Sequence, residues 1–176
     1  ILMTPNAVAT AIVSPISGWL SDKIGARFIS SLGLAVCSIA FFLLSTLSTG
    51  ATPSQVLMGV ILLGVGLGLF QTPNNSSVMG SVPPERLGVA SAFLSLIRSL
   101  GNSFGITIAT TIIVGSLIAI TGQTSLQGLR DAGQANQNPA LLSAFLQGYK
   151  YTYITAGIIC IFGIVTSISR SPKEGR

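Results

Sequence analysis

The sequence contains no histidine, and only 7% of its 176 residues are charged. Soluble domains carry about 25% charged residues, so a chain of this composition cannot cover a folded surface with hydrated groups. A soluble globular domain is therefore excluded. Without imidazole, the hydroxyls and thiols lack their usual general base, and the commonest metal ligand is missing. The sequence predicts no enzyme, no metal site and no cofactor.

Acids and cysteines are equally scarce. The two cysteines, Cys37 and Cys160, lie inside apolar runs, where small buried hydrophobic residues are expected and a disulfide framework is not. The nine Lys and Arg residues are spread singly and form no basic stripe, so no nucleic-acid partner is expected. The four acidic residues lie in predicted loops or in the tail: Asp22, Glu85, Asp131 and Glu174.

Long apolar segments dominate the chain, in which 49% of the residues are hydrophobic. About 20 apolar residues in a helix cross a bilayer core of roughly 30 Å. Five segments meet this condition: residues 1–20, 28–47, 55–82, 87–120 and 145–168. The sequence therefore predicts an all-α, polytopic membrane protein whose main partner is the lipid bilayer. Because the first segment is apolar from residue 1, we expect the chain to be a piece of a longer protein.

The loops between these segments are short and polar. Residues 21–27, 49–54 and 83–86 form tight connections, and the longest, residues 121–143, is rich in Gln, Asn and Gly. Near its end, Asn138 and Pro139 are typical of a helix cap followed by the first helical residue. Lys and Arg favour the cytoplasmic side. The first and third loops and the tail carry six such residues: Lys23, Arg27, Arg86, Arg170, Lys173 and Arg176. The opposite side carries two, Arg130 and Lys150. This distribution predicts a cytoplasmic C-terminus.

Glycines repeat at intervals of four in two of the predicted spans. Gly64 and Gly68 lie in the third span, and Gly101 and Gly105 lie in the fourth. Glycines at this spacing give a smooth helix face against which a neighbouring membrane helix packs closely. A nucleotide-binding loop is rejected here, since such a loop requires a strand before the glycines and a helix after them.

Polar side chains form stripes along three of the spans. Facing them toward lipid would be costly, so they should meet other helices or a wet cavity. Interhelical hydrogen bonding and cavity lining are both open for each residue, and three stripes on three helices favour a cavity. The stripes comprise Asn6, Thr10 and Ser14 in the first span, Gln71, Asn74 and Asn75 in the third, and Ser91, Ser95, Arg98 and Asn102 in the fourth.

Arg98 is the one charged residue placed well inside a span. It lies eleven residues beyond Leu87, about 16 Å along the helix and close to the expected midplane. An intramembrane charge is expensive and indicates a functional or gating role. The alternative is an arginine that extends toward the cytoplasmic face or bonds to backbone carbonyls. Since the spans contain no acid, a partner for Arg98 must come from sequence outside the chain or be the substrate itself.

Two sets of motifs resemble a known family. Residues 18–27, GWLSDKIGAR, resemble the cytoplasmic loop motif of the major facilitator superfamily, although Ala26 departs from its basic preference. Residues 73–74 (PN), 84–92 (PERLGVASA) and the spacing of Arg98, Gly101 and Gly105 resemble the EmrB/QacA-type drug:proton antiporters, which have fourteen spans.

This resemblance implies a fold and a mode of action. The five spans would be the last five of a twelve-helix core, so that the C-terminal half lacks its first helix and the N-terminal half is missing. The two halves would rock around a central site and exchange protons for a small organic compound at the cell membrane. The first loop would act in gating, and Gly18 and Gly25 would permit its tight turn. The gating residues would be Gly18, Asp22, Lys23, Gly25 and Arg27. The proton-coupling acids of the family are not visible in this chain.

Three functions remain open at this point. The first is an exporter of drugs or other amphipathic compounds, and the second is a transporter of one specific metabolite. The third is a membrane sensor or scaffold that does not transport. Wet half-channels meeting near Arg98 would favour transport, whereas a dry, fully packed interior would favour the scaffold.

Overall fold

The computed structural model describes residues 4–47, 52–121 and 139–169, and these ranges form five α-helices without a β-strand. A 3₁₀ turn, Pro84–Arg86, precedes the fourth helix. The predicted all-α class is confirmed. The helices are α1 (Thr4–Ile24), α2 (Ala26–Ser45), α3 (Pro53–Met79), α4 (Leu87–Thr121) and α5 (Pro139–Ser169).

The first predicted loop, residues 21–27, is almost entirely helical. Helix α1 continues to Ile24 because its hydrogen bonding persists, and the Gly25 amide still donates to the Ser21 carbonyl at 2.9 Å. Only Gly25 separates α1 from α2, and its φ of 102° turns the chain. Gly18 lies inside α1, so the expectation that it also permits the turn is wrong.

Local sequence explains where α3 and α5 begin. The Thr52 backbone amide donates to Gln55 Oε1 at 3.0 Å, which completes a capping box, and Pro53 occupies the first helical position. Helix α5 likewise begins at Pro139, as predicted, whereas the expected cap at Asn138 lies outside the described residues.

Four of the helices are long and apolar enough to cross a membrane. These stretches are Ala26–Ser45, Pro53–Met79, Pro84–Ala119 and Ser143–Ile168. Helix α1 has 21 residues, or about 31 Å, which is sufficient length. Its polar residues make it less apolar than the other four, so its crossing remains a prediction.

Helix α3 packs between α1 and α2, α2 packs between α3 and α5, and α5 in turn contacts α4. The buried apolar side chains concentrate on α2 and include Ile29, Cys37, Ala40 and Leu44. Helix α2 also bonds to α5 through serines, with Ser38 Oγ donating to the Gly157 carbonyl at 3.1 Å. The core therefore lies around α2.

The contacts show that helices successive in the chain alternate in direction. Successive α2 residues meet α5 in reverse order, since Ser31 bonds Ser167 near one end and Ser38 bonds Gly157 farther along. Helices α1 and α3 run parallel, since Asn6 bonds Val60 and Ser17, farther along α1, bonds Gly68, farther along α3. This alternation places the Gly25 corner and the Pro84–Arg86 turn at one end of the bundle.

Helix α4 stands apart from the packed group. From Leu87 to Ile108, every residue except Ala90 and Leu94 is exposed. Helix α4 contacts α5 closely near the C-terminal end of α4, where Gly148 of α5 approaches Ile113 and Ser116. From Leu87 to Ile108, α4 therefore leaves an open surface beside α3.

Candidate functional site

The polar stripe of α1 contacts the backbone of α3. Asn6 Nδ2 donates to the Val60 carbonyl at 3.2 Å, and Thr10 Oγ1 donates to the Gly64 carbonyl at 3.0 Å. Ser14 Oγ instead donates to the Thr10 carbonyl of its own helix at 2.7 Å. In the described part of the chain, Asn6 and Thr10 therefore join α1 to α3, whereas Ser14 bonds only within α1.

Sequence reasoning missed the residue that continues this contact. Ser17 is completely buried, and its Oγ donates to the Gly68 carbonyl at 2.9 Å. Ser17 lies three residues beyond Ser14 and seven beyond Thr10, which is the spacing of one helix face. That periodicity could have identified it.

Glycines allow α3 to approach helices on two of its faces. A Cβ added at Gly64 would lie 2.5 Å from the Asn6 carbonyl oxygen, and one at Gly68 would lie 3.0 Å from Val13 Cβ. At Gly66, which faces α2, it would lie 2.6 Å from Cys37 Sγ. The structure places Gly64 and Gly68 in a close helix crossing, and it adds Gly66, for which sequence reasoning gave no role.

The glycines of α4 behave differently. A Cβ added at Gly101 or at Gly105 would meet no atom within 4 Å. No helix of the described part of the chain packs against these two glycines, so their predicted packing stays a prediction. This part of α4 stands away from its described neighbours, and its small residues border open space.

The α3–α4 cleft brings together the other two polar stripes. We use this name for the surface formed by Gln71, Asn75, Ser95, Arg98 and Asn102. Arg98 Nη2 donates to Asn75 Oδ1 at 3.2 Å, which joins the two helices. Asn75 is half-buried, while Gln71 and the three α4 residues are exposed.

The remaining stripe residues lie beside this cleft. Asn74 is half-buried next to Asn75, and Ser91 is exposed two turns before Arg98. The three predicted stripes therefore do not converge on one surface: those of α3 and α4 meet, whereas that of α1 is used in packing.

The cleft carries a positive charge at a definite depth in α4. Arg98 lies six residues, or about 9 Å, before the helix midpoint at Phe104. Its side chain reaches Asn75, which is four residues, or about 6 Å, from the end of α3. Side chains of a helix lean toward its N-terminus, so the Arg98 side chain extends farther from the midpoint of α4, toward the Pro84–Arg86 end.

A second polar stripe on α4 escaped sequence reasoning. Ser103, Thr107 and Thr111 each donate to the carbonyl four residues earlier, at 3.1, 2.9 and 2.8 Å. Their hydroxyls are satisfied within α4, so they can lie on an exposed face of an apolar helix at little cost. The four-residue spacing was visible in the sequence.

The α1–α2 corner holds the predicted gating residues at the surface. Asp22 and Lys23 are exposed in the last turn of α1, and Arg27 is half-buried in the first turn of α2. Lys23 Nζ lies 3.9 Å from the centre of the Trp19 ring, a cation–π contact. The corner therefore presents charges of both signs within two adjoining helical turns.

Comparisons with known proteins agree with this architecture. The family model described as Major Facilitator Superfamily matches residues 1–176. The uncharacterized transporter YebQ of Escherichia coli (strain K12) is 37% identical over 105 residues, which is 60% of this chain. The riboflavin transporter RibZ of Clostridioides difficile (strain 630) is 26% identical over 167 residues, or 95% of this chain.

A third relative has a name that refers to drugs. The multidrug resistance protein Stp of Mycobacterium tuberculosis (strain ATCC 25618 / H37Rv) is 34% identical over 119 residues, or 68% of this chain. The matches cover 23% of YebQ, 33% of RibZ and 22% of Stp. The chain therefore spans a third or less of the length of these relatives.

Proposed function

Because this chain belongs to the major facilitator superfamily, whose members are multi-pass membrane transporters, we propose that it forms part of a proton-coupled exporter of amphipathic organic compounds. The exporter works by alternating access, with the missing N-terminal half of the same transporter facing these helices across a central pathway. The protein resides in the cell membrane with its C-terminus in the cytoplasm.

The α3–α4 cleft is the observation that carries this proposal. A charged guanidinium, amides and hydroxyls line an open surface between helices that are otherwise apolar. A scaffold without transport would gain nothing from an arginine held in this setting, since an intramembrane charge costs stability. A substrate pathway gives these groups a role.

Efflux of several compounds is supported by the names of two relatives. Stp is named a multidrug resistance protein, and MdtP of Bacillus subtilis (strain 168), which is 32% identical over 106 residues, is named a multidrug transporter. Proton coupling rests on the resemblance of the loop and fourth-span motifs to drug:proton antiporters. The coupling acids would lie in the rest of the transporter.

A second candidate is a transporter of one metabolite. It is favoured by RibZ, which is named a riboflavin transporter and matches 95% of this chain. The two candidates differ in substrate range, because a drug exporter moves many unrelated amphipaths and a dedicated transporter moves one compound. A substrate panel separates them.

The experiment uses inside-out membrane vesicles that contain the complete transporter carrying this segment. With an acid interior imposed, we measure uptake of fluorescent cationic, neutral and anionic amphipaths. We expect uptake of more than one compound, collapse of uptake with a protonophore, and at least a tenfold loss in Arg98→Ala at unchanged membrane insertion. Lys150→Ala, which removes an exposed charge elsewhere, serves as the control. Uptake at the normal rate by Arg98→Ala would contradict a transport role for the cleft.

A further inference from the structure

We propose that the α3–α4 cleft recognises a carboxylate, so that the transported compounds are amphipathic organic anions. This inference rests on the proposed transport function and goes further, because it names the substrate class and the residue that selects it. Arg98 would bind the carboxylate, and Asn75 would hold the guanidinium in position.

The first argument is the unused hydrogen-bonding capacity of Arg98. A guanidinium has five N–H donors in a planar fork that matches a carboxylate. The partner that the described residues offer is the neutral Asn75 Oδ1 at 3.2 Å. An amide oxygen accepts a hydrogen bond but leaves the positive charge unbalanced. The arginine is therefore oriented by Asn75 while most of its donors stay available.

The second argument is that the described residues around Arg98 on α4 include no acid. From Leu87 to Ile120 the sequence contains neither Asp nor Glu. In the described ranges the nearest acid along this helix is Glu85, thirteen residues away and about 20 Å along the axis. A bound anion would balance the charge of this exposed guanidinium.

The third argument is the chemistry of the groups beside Arg98. Ser95 and Asn102 lie three and four residues from it on the same helix face, and Gln71 lies one turn from Asn75. Hydroxyls and amides donate hydrogen bonds to a carboxylate without repelling it. The cleft thus combines one positive charge with neutral donors, which suits an anion and disfavours a cation.

The space next to the charge suits an apolar body. Leu94 lies four residues before Arg98, and Gly101 and Gly105 lie three and seven residues after it, so all three share one side of α4. An added Cβ at either glycine would meet no atom within 4 Å, so the face beside the guanidinium is both small and open. A ring or acyl chain can lie there while its carboxylate contacts Arg98.

The test compares matched ligands that differ only in charge. Binding to the detergent-solubilised complete transporter is measured by thermal shift and calorimetry with 1-naphthaleneacetate, 1-naphthaleneacetamide and four further carboxylate–amide pairs of different size. We expect at least one pair in which the carboxylate binds about tenfold or more tightly, as one charge-assisted hydrogen bond would give. Arg98→Gln should abolish this ratio and Arg98→Lys should retain part of it, whereas Lys150→Gln should leave it unchanged.

Equal affinity within every pair, tighter binding of the amides, or no binding of any carboxylate would overturn the inference. Equal affinity is also the result expected when an acidic side chain from elsewhere in the transporter already neutralises Arg98. Failure of this inference is distinct from failure of the proposed function. Protonophore-sensitive uptake of cations alone would support the exporter and contradict anion selection. Carboxylate binding without any uptake would support anion selection and contradict the exporter.

Discussion

Gly25 is the residue on which the connection between α1 and α2 depends. It is the one glycine with a positive φ among the described residues, at 102°, and no other residue separates the two helices. Residues with a Cβ rarely adopt this conformation, and forcing one into it costs about 1–3 kcal/mol.

Gly25→Ala should therefore lower the free energy of unfolding in detergent by about 1–3 kcal/mol. Gly88→Ala is the matched control, because Gly88 lies in a helix and its added Cβ would meet no atom within 4 Å. That variant should be neutral or slightly stabilising, since alanine is the better helix former. Equal thermal unfolding curves for both variants would contradict the strain at Gly25.

At the same scale, prediction from sequence was better at finding polar residues than at giving them partners. The spacing of Asn6 and Thr10 marked a helix face correctly, but two partners for that face were possible. The acceptors are the backbone carbonyls of Val60 and Gly64, and every residue has such a group. Only the structure could therefore identify these two as the hydrogen-bond partners. The pairing of Arg98 with Asn75 also required the structure, because it depends on how α3 and α4 are placed relative to each other.

Helix α3 shows how the element scale depends on small residues. Gly64 and Gly68 face α1, while Gly66 faces α2, so the helix is in close contact on two faces. Alternating glycines within one span therefore bring two different neighbours near the same backbone. Such a helix has no single apolar side, which is expected of an element enclosed by others in a membrane protein.

Gly66→Ala tests the α2–α3 crossing. The new Cβ would lie 2.6 Å from Cys37 Sγ and 2.8 Å from its backbone nitrogen, so the helices must separate. Overpacking of this kind costs about 1–3 kcal/mol. Gly115→Ala, which meets no atom within 4 Å, should cost nothing measurable in the same detergent unfolding assay. Similar stability of the two variants would show that α2 and α3 are not in contact at Gly66.

The whole molecule is organised by the alternating direction of its helices. This alternation and the distribution of Lys and Arg predict that Lys23 and Lys150 lie on opposite sides of the membrane. Lys23 lies in the last turn of α1, and Lys150 lies seven residues from the start of the Ser143–Ile168 stretch, near its expected outer end.

Labelling of single cysteines checks this prediction. In a background with Cys37 and Cys160 replaced by alanine, Lys150→Cys should react with an impermeant maleimide in intact cells. Lys23→Cys should react only after permeabilisation. Labelling of both positions in intact cells, or the opposite pattern, would contradict the proposed orientation.

The α1–α2 corner should affect the movement of the whole transporter rather than ligand affinity. Asp22 is exposed at the corner, in the last turn of α1 and four residues before α2 begins. Asp22→Asn should reduce the transport rate several-fold while leaving the dissociation constant of a transported compound unchanged. Glu85→Gln, at an exposed acid of the Pro84–Arg86 turn, is the control. A parallel loss of binding in Asp22→Asn would argue against a gating role.

Composition and periodicity by themselves determined the class of this protein. A chain with 7% charge must be solvated largely by lipid, and long apolar runs in lipid must be helical because their backbone groups bond within the segment. The helix boundaries followed within a few residues, apart from the first loop. There, the continuing backbone bond from Gly25 to Ser21 outweighed the polar composition.

Tertiary structure alone decided which polar face is used for packing and which remains open. The stripes of α1 and α4 are similar in spacing and polarity, yet one is covered by α3 and the other borders the α3–α4 cleft. The difference comes from how closely each helix approaches α3. Gly64 and Gly68 allow α1 to pack closely against α3, whereas α4 lies farther from it. Helix spacing is a property of several segments together, so no single stretch of sequence contains it.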